Sequence, residues 1–215
     1  MSEVCGKVHQ LVNNMKRFYF SFSQYELPKN GVYLLFEAGE KAHGADRIVR
    51  VGTHVGNDQL RSRLRQHFIN ENKDRSIFRK NIGRALLHKD ADPFLQYWEL
   101  DLTTREARKR YGAEVNLEKL RDMERRVSKF IQDNMSFVVF AVADKSERMQ
   151  LESRIISTVS ACKDCRPSEN WLGLFSPKSK ITTNGLWLVN ELYKVPLEEK
   201  DIENLYATVA NYNLS

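Results

Sequence analysis

The sequence predicts a mixed α/β (α+β) fold, a small and mainly antiparallel sheet flanked by helices, and three observations carry that prediction. Gly31-Val-Tyr-Leu-Leu-Phe-Glu37 and Arg47-Ile-Val-Arg-Val-Gly52 are β-branched and aromatic runs of strand length. Phe137-Val-Val-Phe-Ala-Val-Ala143 is apolar on both faces and bounded by polar residues, as suits a central strand. Elsewhere apolar residues recur at helical spacing.

Taken in order, the first thirty residues hold an aromatic cluster, Phe18 to Phe22 plus Tyr25, closed by Pro28-Lys-Asn30-Gly31 and expected to pack on the core edge. The strands 31–37 and 47–52 read as an antiparallel hairpin with a long, glycine-containing loop over 38–46. From Gln59 to Asn70, Leu60, Leu64 and Phe68 form one stripe of a surface helix. A second helix is expected from Ser76 to Leu87. Asp92-Pro93 marks a turn, and the alternation of aromatic and polar residues from Phe94 to Leu102 predicts a strand. From Val115 to Asn134, Leu117, Leu120, Met123, Val127 and Ile131 make an apolar helical face. Arg121, Arg125 and Lys129 on that helix alternate with acids, which predicts a solvated face with local ion pairs. After strand 137–143, a helix from Glu147 to Ala161 sets Leu151, Ile155, Ile156 and Val159 against the core and leaves Glu152 beside them. Pro196, Glu198 and Glu199 open a last helix through Ile202, Leu205, Tyr206 and Val209.

At 215 residues with 41% hydrophobic and 29% charged composition, the chain has enough apolar matter for a buried core, which excludes disorder as its main state. No Pro/Gly/Ser-rich linker or repeat divides it, so a single domain over 1–215 is expected. No apolar run is long enough to span a bilayer, and MSEVCGKVHQ has no signal-peptide core, so a cytoplasmic protein without membrane association is expected. A net charge of +6 favours polyanionic partners, though general solubility explains it equally well. The three cysteines are too few for a disulfide framework; Cys162-Lys-Asp-Cys165 has the spacing of half a zinc site, but no second CxxC or HxxxH completes it.

The succession Gly31-Val32-Tyr33, Arg50-Val51-Gly52, Arg63-Leu-Arg-Gln-His67-Phe68 and Glu152 resembles the GIY-YIG nuclease family over roughly residues 30–172. Arg50-Val-Gly-Thr-His54, Arg75-Ser-Ile-Phe-Arg79 and Ser168-Glu-Asn-Trp-Leu-Gly173 resemble segments of a bacterial subgroup of that family. The resemblance implies a GIY-YIG-like sheet and helices, with a helical insertion at about 88–135 and a C-terminal helical extension at about 173–215. It also implies a metal-dependent DNA endonuclease using Mg²⁺ or Mn²⁺, acting on double-stranded DNA in a restriction, defence or mobile-element setting. A homodimer would fit such a role, although no stripe in the sequence marks an interface.

The residues support that chemistry on their own terms. Phosphodiester hydrolysis needs an activated water, neutralised charge on the transition state and a stabilised leaving oxygen. Tyr33, its hydroxyl opposite the Val32/Leu34 face, suits proton acceptance from water when a nearby cation lowers its pKa; the plain reading is a half-buried strand tyrosine. Arg63 and His67 lie one turn apart and reach one phosphate together, or are simply surface residues of a basic helix. Arg61 and Arg65 beside them suit backbone contacts that ignore sequence. Glu152 suits a hard divalent cation, unless it pairs with Arg148. Arg50 stands where the family carries its second tyrosine; it offers a phosphate contact and a pKa-lowering charge but relays no proton. His54 is either a phosphate or base contact or a loop histidine, and Asn170 resembles a substrate-orienting asparagine of the family. Arg50 keeps a second reading open, a catalytically inactive nucleic-acid-binding protein of this fold, and charge alone leaves an RNA-directed nuclease open as a third.

Overall fold

The structure is a computed structural model that describes residues 1–213. The chain begins with α1 (Ser2–Asn13) and β1 (Phe18–Tyr19), followed by the long hairpin of β2 (Gly31–Ala42) and β3 (Ala45–Gly52). Helices α2 (Leu60–Phe68), α3 (Ile77–Lys89), α4 (Leu95–Trp98), α5 (Arg105–Tyr111) and α6 (Leu117–Asn134) come next. Then follow β4 (Met135–Ala141), α7 (Lys145–Ala161), α8 (Ser179–Asn184) and α9 (Glu199–Asn213). The four strands form one antiparallel sheet in the order β1-β4-β2-β3. β4 and β2 are therefore the inner strands, and β3 lies at an edge.

Alternation along the strands divides the core between the two faces of the sheet. Val32, Leu34, Phe36, Val51, Val138 and Phe140 meet apolar residues of α1, α7 and α9 on one face. Tyr33, Leu35, Val49, Phe137 and Val139 face α2, α3 and α6 on the other, where Trp98, Trp171 and Trp187 complete the layer. Side-chain caps fix several helix starts: Ser76 accepts from the Arg79 N–H, Asn116 from Lys119 and Asp144 from Glu147. A buried ion pair joins the layer internally, with Arg79 of α3 donating to Glu124 of α6 at 2.7 Å and to Ser128 Oγ at 2.9 Å.

Two sequence expectations are corrected. The strand expected over 94–102 is the short helix α4 and a coil: Phe94 and Trp98 stand at helical spacing, Asp92 accepts from the Phe94 N–H, and the buried Trp98 indole donates to the Lys80 carbonyl. The loop expected over 38–46 is mostly strand, because the chain reverses at His43-Gly44 alone. Both residues have positive φ, 53° and 74°, the signature of a two-residue hairpin turn. The first residues form α1, whose Val4, Val8, Leu11 and Val12 enter the core. Of the aromatic cluster, Phe18 and Phe22 pack onto Phe137, while Tyr19, Phe20 and Tyr25 are exposed. Among the described residues no helix is long and apolar enough to cross a membrane.

Candidate active site

Tyr33 sits near the start of β2, opposite Gly52 at the end of β3. The pairing explains the glycine, since any side chain at position 52 would overlap the Tyr33 hydroxyl. Likewise a Cβ at Gly31 would overlap the Phe140 carbonyl of the neighbouring strand. The Tyr33 hydroxyl lies 2.7 Å from Nε2 of His67 on α2, and His67 Nδ1 lies 2.8 Å from Ser76 Oγ. Both aromatic side chains are fully buried. Burial, followed by the charges of Arg50, Arg63 and Arg79, holds the His67 pKa well below the usual imidazole value, so the ring is neutral at physiological pH.

Neither Tyr33 nor His67 lines the cleft of about 720 Å³ whose lining includes Arg50 of β3, Arg63 of α2, Asn81 of α3, Glu152 of α7 and Glu191. The opening thus brings together two guanidinium groups and two carboxylates, those of Glu152 and of Glu191, the latter paired with Lys194 at 2.7 Å. Arg50 is buried and donates from Nη1 to the Trp187 carbonyl at 2.6 Å, while its Nε has no hydrogen-bond partner among the described residues. A buried, unpaired guanidinium N–H is costly unless something fills it. Arg63 is half-buried and held by Gln66 Oε1 at 3.1 Å and the Arg75 carbonyl at 3.2 Å. That contact gives the Arg75-Ser-Ile-Phe-Arg79 segment its place: its carbonyl positions Arg63, its serine supports His67, and its arginine ties α3 to α6.

Glu152 accepts the Thr53 backbone N–H at 3.1 Å through Oε1. Among the described residues its other oxygen has no hydrogen bond. Burial raises the pKa of this carboxyl above the ordinary range, against the lowering pull of Arg50, the Thr53 N–H and Arg63. Its expected rival partner is elsewhere: the Arg148 guanidinium is buried among the carbonyls of His54, Ala143 and Gly56. Glu152 is half-buried and shares the cleft with Arg50, Arg63 and a second carboxylate, that of Glu191; such a set fits a hydrated hard ion, which takes few protein ligands and shares the remainder between water and phosphate oxygens.

The other predicted residues lie outside this cleft. Both ring nitrogens of His54 have backbone partners, Nδ1 at the Gly56 carbonyl (2.6 Å) and Nε2 at the Gly31 N–H (3.4 Å). Arg61 donates twice to the Leu27 carbonyl, at 2.9 and 2.6 Å, and so anchors the segment that enters β2. Arg65 is exposed on the same helix, with Gln24 at 3.5 Å. Asn170 is exposed in the loop before Trp171. Sequence reasoning missed Thr53, Ser76 and the Trp187 carbonyl. Ser76 could have been found as a helix cap; the other two act through backbone atoms and leave no residue-type signal.

A family model described as GIY-YIG domain matches residues 2–214. Neither the curated proteins nor the solved structures gave a match.

Proposed function

The chain belongs to the GIY-YIG domain family, a nuclease family, and from that premise we propose that it is a metal-dependent endonuclease that hydrolyses double-stranded DNA. The observation that carries this reading is the convergence of Arg50, Arg63 and Glu152 on one cleft. Arg50 and Arg63 neutralise the charge that grows on the non-bridging oxygens of the scissile phosphate. Glu152 holds Mg²⁺ or Mn²⁺, which when bound supplies positive charge to the phosphate and the departing oxygen. Beside them, neutral His67 accepts a hydrogen bond from the Tyr33 hydroxyl at Nε2 and donates one from Nδ1 to Ser76 Oγ, which holds the phenol in one orientation. Cutting both strands calls for two such clefts, as a homodimer would provide.

Supercoiled plasmid incubated with the protein and MgCl₂ or MnCl₂ should be nicked or linearised, and EDTA should stop the reaction. Arg63→Ala and Glu152→Ala should each abolish cleavage while DNA binding survives. A variant that cuts at the wild-type rate removes that residue from the site. Arg50, which cannot relay a proton, favours one competing reading, a binding protein without turnover; salt-sensitive DNA binding with no cleavage of any substrate would select it.

A further inference from the structure

Cys162 and Cys165 have no partners in sequence, but the fold supplies them. On the face of the sheet opposite Tyr33, α1 brings Cys5 and His9, the β2–β3 turn brings His43, and the segment after α7 brings Cys162 and Cys165. One ligand atom from each of Cys5, His9, His43 and Cys165 lies within 4.8 Å of the others. The Cys5 and Cys165 sulfurs are 3.4 Å apart, and His43 Nε2 is 3.4 Å from the sulfurs of both Cys162 and Cys165. All three thiols are buried. His43 takes a positive φ, uncommon for a residue with a side chain, at the turn that delivers its ring to the cluster.

The spacing decides what the cluster suits. A disulfide would require a sulfur separation of about 2.05 Å. Two thiolates on one tetrahedral zinc, with Zn–S bonds of about 2.3 Å, stand about 3.8 Å apart, and a thiolate and an imidazole slightly closer. The observed 3.4 Å separations match the second arrangement. Soft thiolates with imidazole select Zn²⁺ over Mg²⁺ or Ca²⁺.

We propose that Cys5, His43, Cys162 and Cys165 bind one structural Zn²⁺ that joins α1, the hairpin turn and the end of α7. His9 is a neighbour and not a ligand: its Nε2 accepts the Ile48 N–H at 3.2 Å, and its Nδ1 lies 2.9 Å from the Cys5 carbonyl. Its Nδ1 also lies 3.6 Å from the Cys5 sulfur and its Nε2 3.9 Å from the Cys165 sulfur, but the backbone contacts are shorter, and the fourth position is assigned to Cys162, which stands outside the mutually close set but has its sulfur 3.4 Å from His43 Nε2. Binding releases the thiol protons and closes chain segments separated by more than a hundred residues, so its free energy adds to folding.

The test uses the full chain produced with zinc in the medium. Elemental analysis should find one zinc per chain, and replacement by Co²⁺ should give the intense absorption of a tetrahedral site with thiolate charge transfer. Chelation should lower the melting temperature, with recovery on adding Zn²⁺ but not Mg²⁺. Zinc should be lost from Cys162→Ser, Cys165→Ser and His43→Ala and retained by His9→Asn. Folded wild-type protein that retains no zinc and gives no thiolate–cobalt absorption overturns the proposal, as does an intact mass showing a Cys5–Cys165 disulfide. Zinc lost from His9→Asn but kept by Cys162→Ser overturns the choice of fourth ligand. None of these readouts involves DNA cleavage, so the zinc proposal stands or falls apart from the nuclease reading.

Discussion

Glu152 is pulled in two directions. Burial favours its protonated form, while Arg50 is the strongest of the influences that favour the carboxylate. A cation-holding carboxyl must be ionised, so the acid limb of the pH–rate profile should follow this group and lie above the range of a free glutamate. Arg50→Ala removes the opposing charge, and the limb should move to still higher pH, with kcat/KM measured across the acid range as the check. A limb that stays in place or moves down would separate the two residues. The set was picked out by the succession of motifs that resembles the family, because each of these residues taken alone has a plain structural reading. Hidden was the complete burial of Tyr33 and His67, which depends on helices α2 and α3 closing over β2. Equally hidden were the backbone duties of Arg61 and His54, since a backbone carbonyl or N–H partner leaves no trace in residue identity.

At the scale of elements, Glu37 on β2 shows what the segment around Trp171 does. The Trp171 and Trp187 indoles both donate to Glu37 Oε2, at 2.9 and 2.8 Å, and so fasten two irregular stretches to the sheet. Burial outweighs those two hydrogen bonds and raises this carboxyl from the usual 4.5 to about 7. The native state therefore holds a proton that the unfolded chain releases. The stabilisation is present below about pH 4.5 and lost as pH rises through about 7, a fall on the order of 3 kcal/mol across that window. Glu37→Gln should flatten this part of the stability profile, as read from urea unfolding midpoints at several pH values; an unchanged slope would assign the effect elsewhere. Strong periodicity made α2, α6, α7 and β4 legible within a few residues. The pattern failed over 94–102, where alternation coincided with the helical spacing of Phe94 and Trp98. It failed again over 38–46, where glycines read as loop are a turn and a bend in continuous strands.

Across the whole molecule, the sheet and its helical layers were readable, whereas the convergence of Cys5, His43 and the Cys162/Cys165 pair was not, because contacts across such sequence distances arise only from topology. The cleft too depends on topology. Glu152 belongs to a helix on one side of the sheet and Arg63 to a helix on the other, and they meet around the edge strand β3. A chain with only one side assembled would hold only part of the cleft lining. All three tryptophans report on the side that carries Arg63. During gradual heating, loss of cleavage that precedes the fluorescence change would mark the α1/α7/α9 side as the first to come apart, and coincident curves would mark a single cooperative melt.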